Sequence, residues 1–226
     1  MDRQRPFVVV IAGPNGSGKS SLTCHLQALG FDFGDYINPD DIAAGLQGSY
    51  DERVRRAQAI ADTRRAEAIA ARRSFSFETV FSHPSKLDVL DQARQAGFEV
   101  ALFFIAVDDP AINLERVKTR VSLGGHDVPA DRVFNRYRRT MALLPEMLAR
   151  VDRARIFDNT VQAASAASFA GRLVATVDTG MDRSVVVKTR SPMPAWVMQH
   201  LIKPALTRGW SIEIVDEDSS PFDATK

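Results

Sequence analysis

Residues 13–20 read Gly13-Pro14-Asn15-Gly16-Ser17-Gly18-Lys19-Ser20, the G-x-x-x-x-G-K-[ST] spacing of a loop that cradles phosphate. Glycines let such a backbone curl until several N–H groups converge, and a helix starting near Gly18 adds its positive end. Lys19 would reach the β- and γ-phosphates of a nucleotide, and Ser20 would offer its hydroxyl to Mg²⁺. That ion keeps most of its coordination in water and phosphate oxygen. Ser21 completes the predicted nucleotide-binding segment. The loop follows the apolar run Phe7–Ala12 and precedes a helix-forming stretch, the strand–loop–helix context the motif requires.

A phosphate loop alone does not separate small-molecule kinases from motor ATPases, GTPases or transporter ATPases, so other polar residues must decide. Carboxylates follow the second apolar run, in Ile37-Asn38-Pro39-Asp40-Asp41, and close the third, in Phe75-Ser76-Phe77-Glu78-Thr79. A kinase needs a base for the attacking hydroxyl, and a carboxylate near the γ-phosphate can serve. Asp40 is the candidate base. Either it or Asp41 also suits the cap of a short helix starting at Ile42. Glu78, with Thr79, is the candidate for holding the substrate or ordering the metal's waters, because a carboxylate among Phe75, Phe77, Val80 and Phe81 is costly to bury unpaired. Asp108 imitates a metal-site strand ending, but the neighbouring Asp109-Pro110 reads as a helix cap.

The segment from Arg116 through Arg120 to Gly124-Gly125-His126 joins cations at helical spacing to a glycine turn, the pattern of a lid. Arginines placed against equatorial phosphoryl oxygens stabilise the transition state. Arg120 is the favoured catalytic cation. Arg116, His126, Arg136 and Arg139 are further phosphate candidates.

Apolar runs of strand length at 7–12, 36–37, 74–78, 99–107 and 155–157 alternate with helical patterns at 19–29, 52–73, 83–96, 110–121 and 130–150. This alternation predicts a parallel sheet wrapped by helices, with the loop at the carboxyl edge where open α/β sheets take ligands. Gly97 reads as the C-cap of its helix. Past residue 178 a turn-rich break is followed by a β-α-β pattern, giving a main domain over 1–178 and an extension over 179–226 that packs on it.

The 226 residues carry a net charge of +1 and 45% hydrophobic residues, enough for a core and with no excess that suggests bulk nucleic-acid binding. No apolar stretch approaches a membrane span, and no signal-peptide pattern opens the chain. The expected location is the cytoplasm. The single cysteine, Cys24, excludes an internal disulfide and is expected to be a buried, inert thiol.

Taken together, residues 12–20, Ile37-Asn38-Pro39-Asp40, Phe77-Glu78-Thr79 and the stretch from Arg120 through Gly124-Gly125-His126-Asp127-Val128-Pro129 to Arg136-Tyr137-Arg138-Arg139 resemble the zeta toxins and zeta-like kinases of the P-loop superfamily. The resemblance covers roughly residues 7–159. It implies a P-loop kinase-type three-layer α/β sandwich of about five parallel strands. It also implies Mg²⁺-dependent transfer from ATP or GTP to a sugar hydroxyl of UDP-N-acetylglucosamine, which in toxins blocks cell-wall precursor synthesis. Lys19 takes the place of the family lysine, Asp40 that of the general base, Glu78 that of the substrate-holding glutamate, and Arg120 that of a phosphate-contacting arginine. The second such arginine is either Arg136 or Arg139. The chain departs from the pattern at Ala43, where toxins usually carry an arginine, and in the tail beyond Asp178. Two other classes fit the loop: a nucleotide-hydrolysing switch, and a nucleotide-binding module whose extension recruits a protein such as an antitoxin.

Overall fold

The computed structural model describes residues 5–124, 128–161 and 169–215. The five expected strands form as β1 (Phe7–Ala12), β2 (Asp35–Tyr36), β3 (Phe75–Thr79), β4 (Glu99–Ala106) and β5 (Arg153–Asp158). They pair in parallel in the order β2-β3-β1-β4-β5. Ala12 lies opposite Thr79 and Phe104, and Ala106 opposite Asp158, so the carboxyl ends of four strands form one edge.

Alternating side chains send the strands into two apolar layers. Val8, Val10 and Ala12 of β1 join Leu102 and Phe104 of β4 in one cluster, beneath α3 (Tyr50–Ala70), α4 (Leu87–Gln95) and α6 (Ala130–Leu148). Val9 and Ile11 join Phe103 and Ile105 in the other, against Leu22 and Leu26 of α1 (Lys19–Ala28). Both faces of β1 and β4 are therefore buried, which is why those strands read as continuous apolar runs. Cys24 corrects an expectation. It is exposed, because it lies off the α1 stripe of Leu22, Thr23 and Leu26 that faces the sheet.

Caps set the helices that matter most. Asp109 accepts from the Ala111 amide at 2.7 Å and Pro110 opens α5 (Pro110–Ser122), as its sequence foretold. Gly97, at φ 79°, ends the turn after α4. The predicted 83–96 helix divides into a 3₁₀ turn (Pro84–Lys86) and α4.

Beyond β5 the sheet continues. A strand absent from the sequence-based expectation, β6 (Arg172–Thr179), pairs antiparallel with β5 through a bulge at Ile156/Phe157. Its apolar residues Leu173, Val174 and Ala175, with Val177 after the intervening Thr176, are too few for periodicity to tell a strand from a piece of helix. The expected β-α-β pattern follows as β7 (Val185–Arg190), a helical segment of α7 (Ala195–Val197), a π turn (Met198–Ile202) and α8 (Lys203–Thr207), then β8 (Ser211–Val215). β7 pairs antiparallel with β6, and β8 parallel with β7, so β6 and the two strands of the extension lengthen the sheet to eight strands among the described residues. Its Trp196, Leu201 and Ile202 pack into the layer that holds Phe104 and Met141. Among the described residues no helix is long and apolar enough to cross a membrane.

Candidate active site at the carboxyl edge of the sheet

The loop between β1 and α1 packs so closely that three of its glycines leave a side chain no room, Gly16 among them, whose Cβ would lie 2.6 Å from the Asn113 carbonyl oxygen. A Cβ on Gly13 would run into the Ile105 carbonyl oxygen, and one on Gly18, at φ 101°, into the Asn159 amide nitrogen. Asn159 donates from Nδ2 to the Ser17 carbonyl at 2.8 Å, and its own N–H donates to Ala106 O at 2.8 Å. Asn113 on α5, fully buried, donates from Nδ2 to Asn15 O at 2.6 Å. The Gly13 amide reaches Thr79 O at 3.3 Å. The cradle is thus pinned from β3, α5 and the end of β5. Neither Asn113 nor Asn159 carries a local sequence signal; each is found only once distant elements meet.

Within the cradle, the buried Ser17 Oγ has no hydrogen-bond partner among the described residues. The Lys19 ammonium donates to the Gly13 and Pro14 carbonyls, each at 3.0 Å, and so folds across the loop. Burial lowers its pKa from 10.5 to about 8, against the opposing carboxylates of Glu78 and Asp40 and reinforced by the Arg120 and Arg136 guanidiniums. An idle buried donor, glycines without room for Cβ, and a desolvated cation fit an anionic phosphate group.

Glu78, ending β3, is the hub of the opposite wall. Its Oε2 accepts from Ser20 Oγ at 3.1 Å, and its Oε1 accepts from Thr23 Oγ1 at 2.5 Å and from Tyr36 OH at 2.8 Å. Burial, then the Glu78 charge and hydrogen bond, push the Tyr36 hydroxyl well above its ordinary pKa, so it remains a donor. Asn38 Nδ2 reaches Tyr36 OH at 3.4 Å. These three hydroxyls answer the cost of a carboxylate in an aromatic strand: a hydrogen bond to a charged group contributes about 1.5–3 kcal/mol. Thr79 is drawn into the local turn, its Oγ1 accepting from the Phe81 amide at 3.1 Å. Ser21, half-buried, sits in the first turn of α1.

Asp40 lies in the first turn of α2 (Pro39–Ala44), exposed. The helix starts three residues before the expected Ile42, and its cap is Asn38, whose Oδ1 accepts from the Asp40 amide at 3.0 Å. Capping therefore falls to Asn38, not to Asp40 or Asp41.

On the other flank, Arg120 in the last turn of α5 and Arg136 on α6 both act on Lys19. Arg136 Nη1 donates to Asn15 Oδ1 at 3.4 Å. Arg139, three residues on, is exposed. Between them Tyr137 anchors α6 by donating to Val107 O at 2.8 Å. Arg116 turns elsewhere, donating from Nη2 to Thr160 O at 3.4 Å; burial lowers its pKa while Asp158 opposes the shift. His126 lies outside the described residues.

A family model described as an AAA domain matches residues 8–144. An uncharacterized protein of Haemophilus influenzae is 32% identical over 133 residues, which are 57% of this chain and 91% of that protein. Among solved structures, the AvrRxo1-ORF1:AvrRxo1-ORF2 complex with sulphate ions superposes with a TM-score of 0.58 at 17% identity, covering 78% of this chain and 60% of that one. The same complex is also solved with ATP. A structure from the PezAT chromosomal toxin-antitoxin system of Streptococcus pneumoniae gives a TM-score of 0.51 at 13% identity, covering 73% of each chain. These likenesses show an α/β P-loop kinase-like fold. The matching family model is described as an AAA domain and does not name the zeta toxins whose motifs the sequence resembles.

Proposed function

The chain belongs to the AAA-domain family, and from that premise we propose that it is a Mg²⁺-dependent kinase that transfers the γ-phosphoryl group of ATP or GTP to a small-molecule hydroxyl. The observation that carries this reading is the convergence on Lys19 of Glu78 and Asp40 from the β2–β3 flank with Arg120 and Arg136 from the α5–α6 flank. A hydrolytic switch needs charge stabilisation and an oriented water. A kinase needs in addition a carboxylate that an acceptor hydroxyl can reach, and Asp40 is exposed.

The loop amides and Lys19 hold the β- and γ-phosphates. Ser20 would hold Mg²⁺, with Glu78 orienting the Ser20 hydroxyl and the ion's water shell; the ion supplies neutralisation of the phosphate oxygens. Asp40 accepts the proton of the acceptor hydroxyl as its oxygen forms the bond to the γ-phosphorus and the bond from that phosphorus to the β,γ-bridging oxygen breaks, releasing the nucleoside diphosphate. Arg120 and Arg136 stabilise charge on the equatorial oxygens.

For the acceptor, the Asn-Pro-Asp, Phe-Glu-Thr and Gly-Gly-His segments support a sugar nucleotide of the UDP-N-acetylglucosamine type. The same reading places the reaction in the cytoplasm and admits a protein partner of the antitoxin kind that covers the site. The test is incubation with labelled ATP, Mg²⁺ and a panel of sugar nucleotides and metabolites. A phosphorylated acceptor is expected; phosphate release that no acceptor changes would overturn the proposal.

A further inference from the structure

Trp196 lies in the extension, beyond the AAA-domain match, and is only 3% exposed. Its indole Nε1 donates to Asp158 Oδ1 at 2.9 Å, and its backbone amide donates to Asp108 Oδ1 at 3.2 Å. Asp158 ends β5 and Asp108 follows β4. Thr160 closes the ring, donating from Oγ1 to Asp158 Oδ1 at 2.7 Å and accepting from the Asp108 amide at 2.9 Å. One residue of the extension therefore ties together two strand ends on the edge that carries the phosphate loop.

The turn held this way bears on the loop twice. Asn159, between the two residues that Trp196 and Asp108 fix, holds the Ser17 carbonyl and lies against Gly18. Thr160 O receives Arg116, which the Asp158 charge also faces. A cradle that recognises phosphate by converging amides loses affinity when its supports move by a fraction of an ångström.

We propose that Trp196 is a positioning residue for the bound nucleotide: by holding Asp158 and Asp108 it sets the 158–160 turn, which carries Asn159 against the phosphate loop and Thr160 against Arg116. This makes the extension part of the nucleotide site. It rests on the nucleotide-binding reading of the loop but not on any acceptor.

The test is ATP binding by calorimetry on the full chain with Trp196→Phe. That change deletes the indole donor while keeping an aromatic ring near Phe104, whose centroid lies 6.3 Å from that of Trp196, and the backbone bond to Asp108. Binding is expected to weaken about fivefold, the scale of one net hydrogen bond. In an Asn159→Ala background the same change should cost less than about twofold, because the route through the loop is already cut. Ile202→Val, a core change in the same extension, should lower Tm and leave binding unaltered. Equal ATP affinity in wild type and Trp196→Phe overturns this inference alone, as does Ile202→Val weakening binding as much. A wild-type chain that binds no ATP overturns this inference and the phosphotransfer reading together.

Discussion

Ser20 Oγ donates to Glu78 Oε2 at 3.1 Å, joining the last residue of the phosphate loop to the end of the third strand. Both Glu78 oxygens are occupied by hydroxyls from α1 and β2, so the carboxylate faces Ser20, the residue proposed to hold Mg²⁺. That geometry favours the ordering of metal-bound water over direct capture of an acceptor, the role the zeta resemblance implies for this position.

Glu78→Gln tests that preference. The amide oxygen can still accept from Thr23 and Tyr36, but the NH₂ takes the place of the oxygen that accepts from Ser20, so the Ser20 hydroxyl must turn and accept, which spends a lone pair it would offer to Mg²⁺. The Mg²⁺ concentration for half-maximal activity is expected to rise about tenfold, the usual effect of removing a group that orients a metal's ligands. A raised acceptor KM at unchanged Mg²⁺ requirement would instead make Glu78 an acceptor-binding residue.

Asp40→Asn separates base from cap. The Asn38 side chain caps α2, so the substitution leaves the helix start intact. Transfer is expected to fall by about 10²–10⁴, the contribution of a positioned general base. ATP affinity measured by calorimetry should stay within about twofold, since phosphate binding rests on the loop. Retained transfer removes Asp40 from the mechanism.

What the sequence disclosed depended on how local the chemistry is. Gly13 to Ser20 spell their own function, and Asp109-Pro110 their own helix start, because the groups that interact are neighbours in the chain. Tyr36 and Thr23 meet Glu78 across separations of 42 and 55 residues, and Asn159 meets Ser17 across 142, so no spacing announces them. β6 has no sequence signal for another reason: Leu173, Val174, Ala175 and Val177, broken by Thr176, have no distinctive period. The exposure of Cys24 was decided by which side of α1 the sheet took.

Arg136 and Arg139 were equivalent in sequence and are not in the structure. Arg136 contacts Asn15 of the loop and acts on Lys19, whereas Arg139 is exposed. Arg136→Ala and Arg120→Ala are each expected to lower kcat about a hundredfold, the scale of losing one transition-state charge partner. Arg139→Ala should stay within about twofold, as for a surface substitution. Steady-state kinetics at saturating ATP decide, and equal losses at 136 and 139 would return the choice to sequence alone.

Lys19 gives the site a pH signature with two opposite slopes. Its pKa is drawn from 10.5 down to about 8 by burial, so below that value the ammonium is intact and can meet phosphate. ATP affinity is expected to be level from about pH 7.5 to 8 and then to fall toward tenfold per pH unit, as the free protein gives up the proton that binding requires. Stability of the unliganded chain runs the other way. Between pH 8 and 10.5 the unfolded lysine holds a proton that the folded one has lost. The unfolded state then binds more protons, and stability rises with pH. Lys19→Met removes both slopes at once: it should raise Tm below pH 8, where the half-buried charge is most costly, and abolish tight ATP binding at every pH. Thermal scans of wild type and Lys19→Met across pH 7–10, paired with calorimetry, check both signs. A wild-type affinity that stays level to pH 10 would show that Lys19 keeps its ordinary pKa and that burial of its charge is not what tunes this loop.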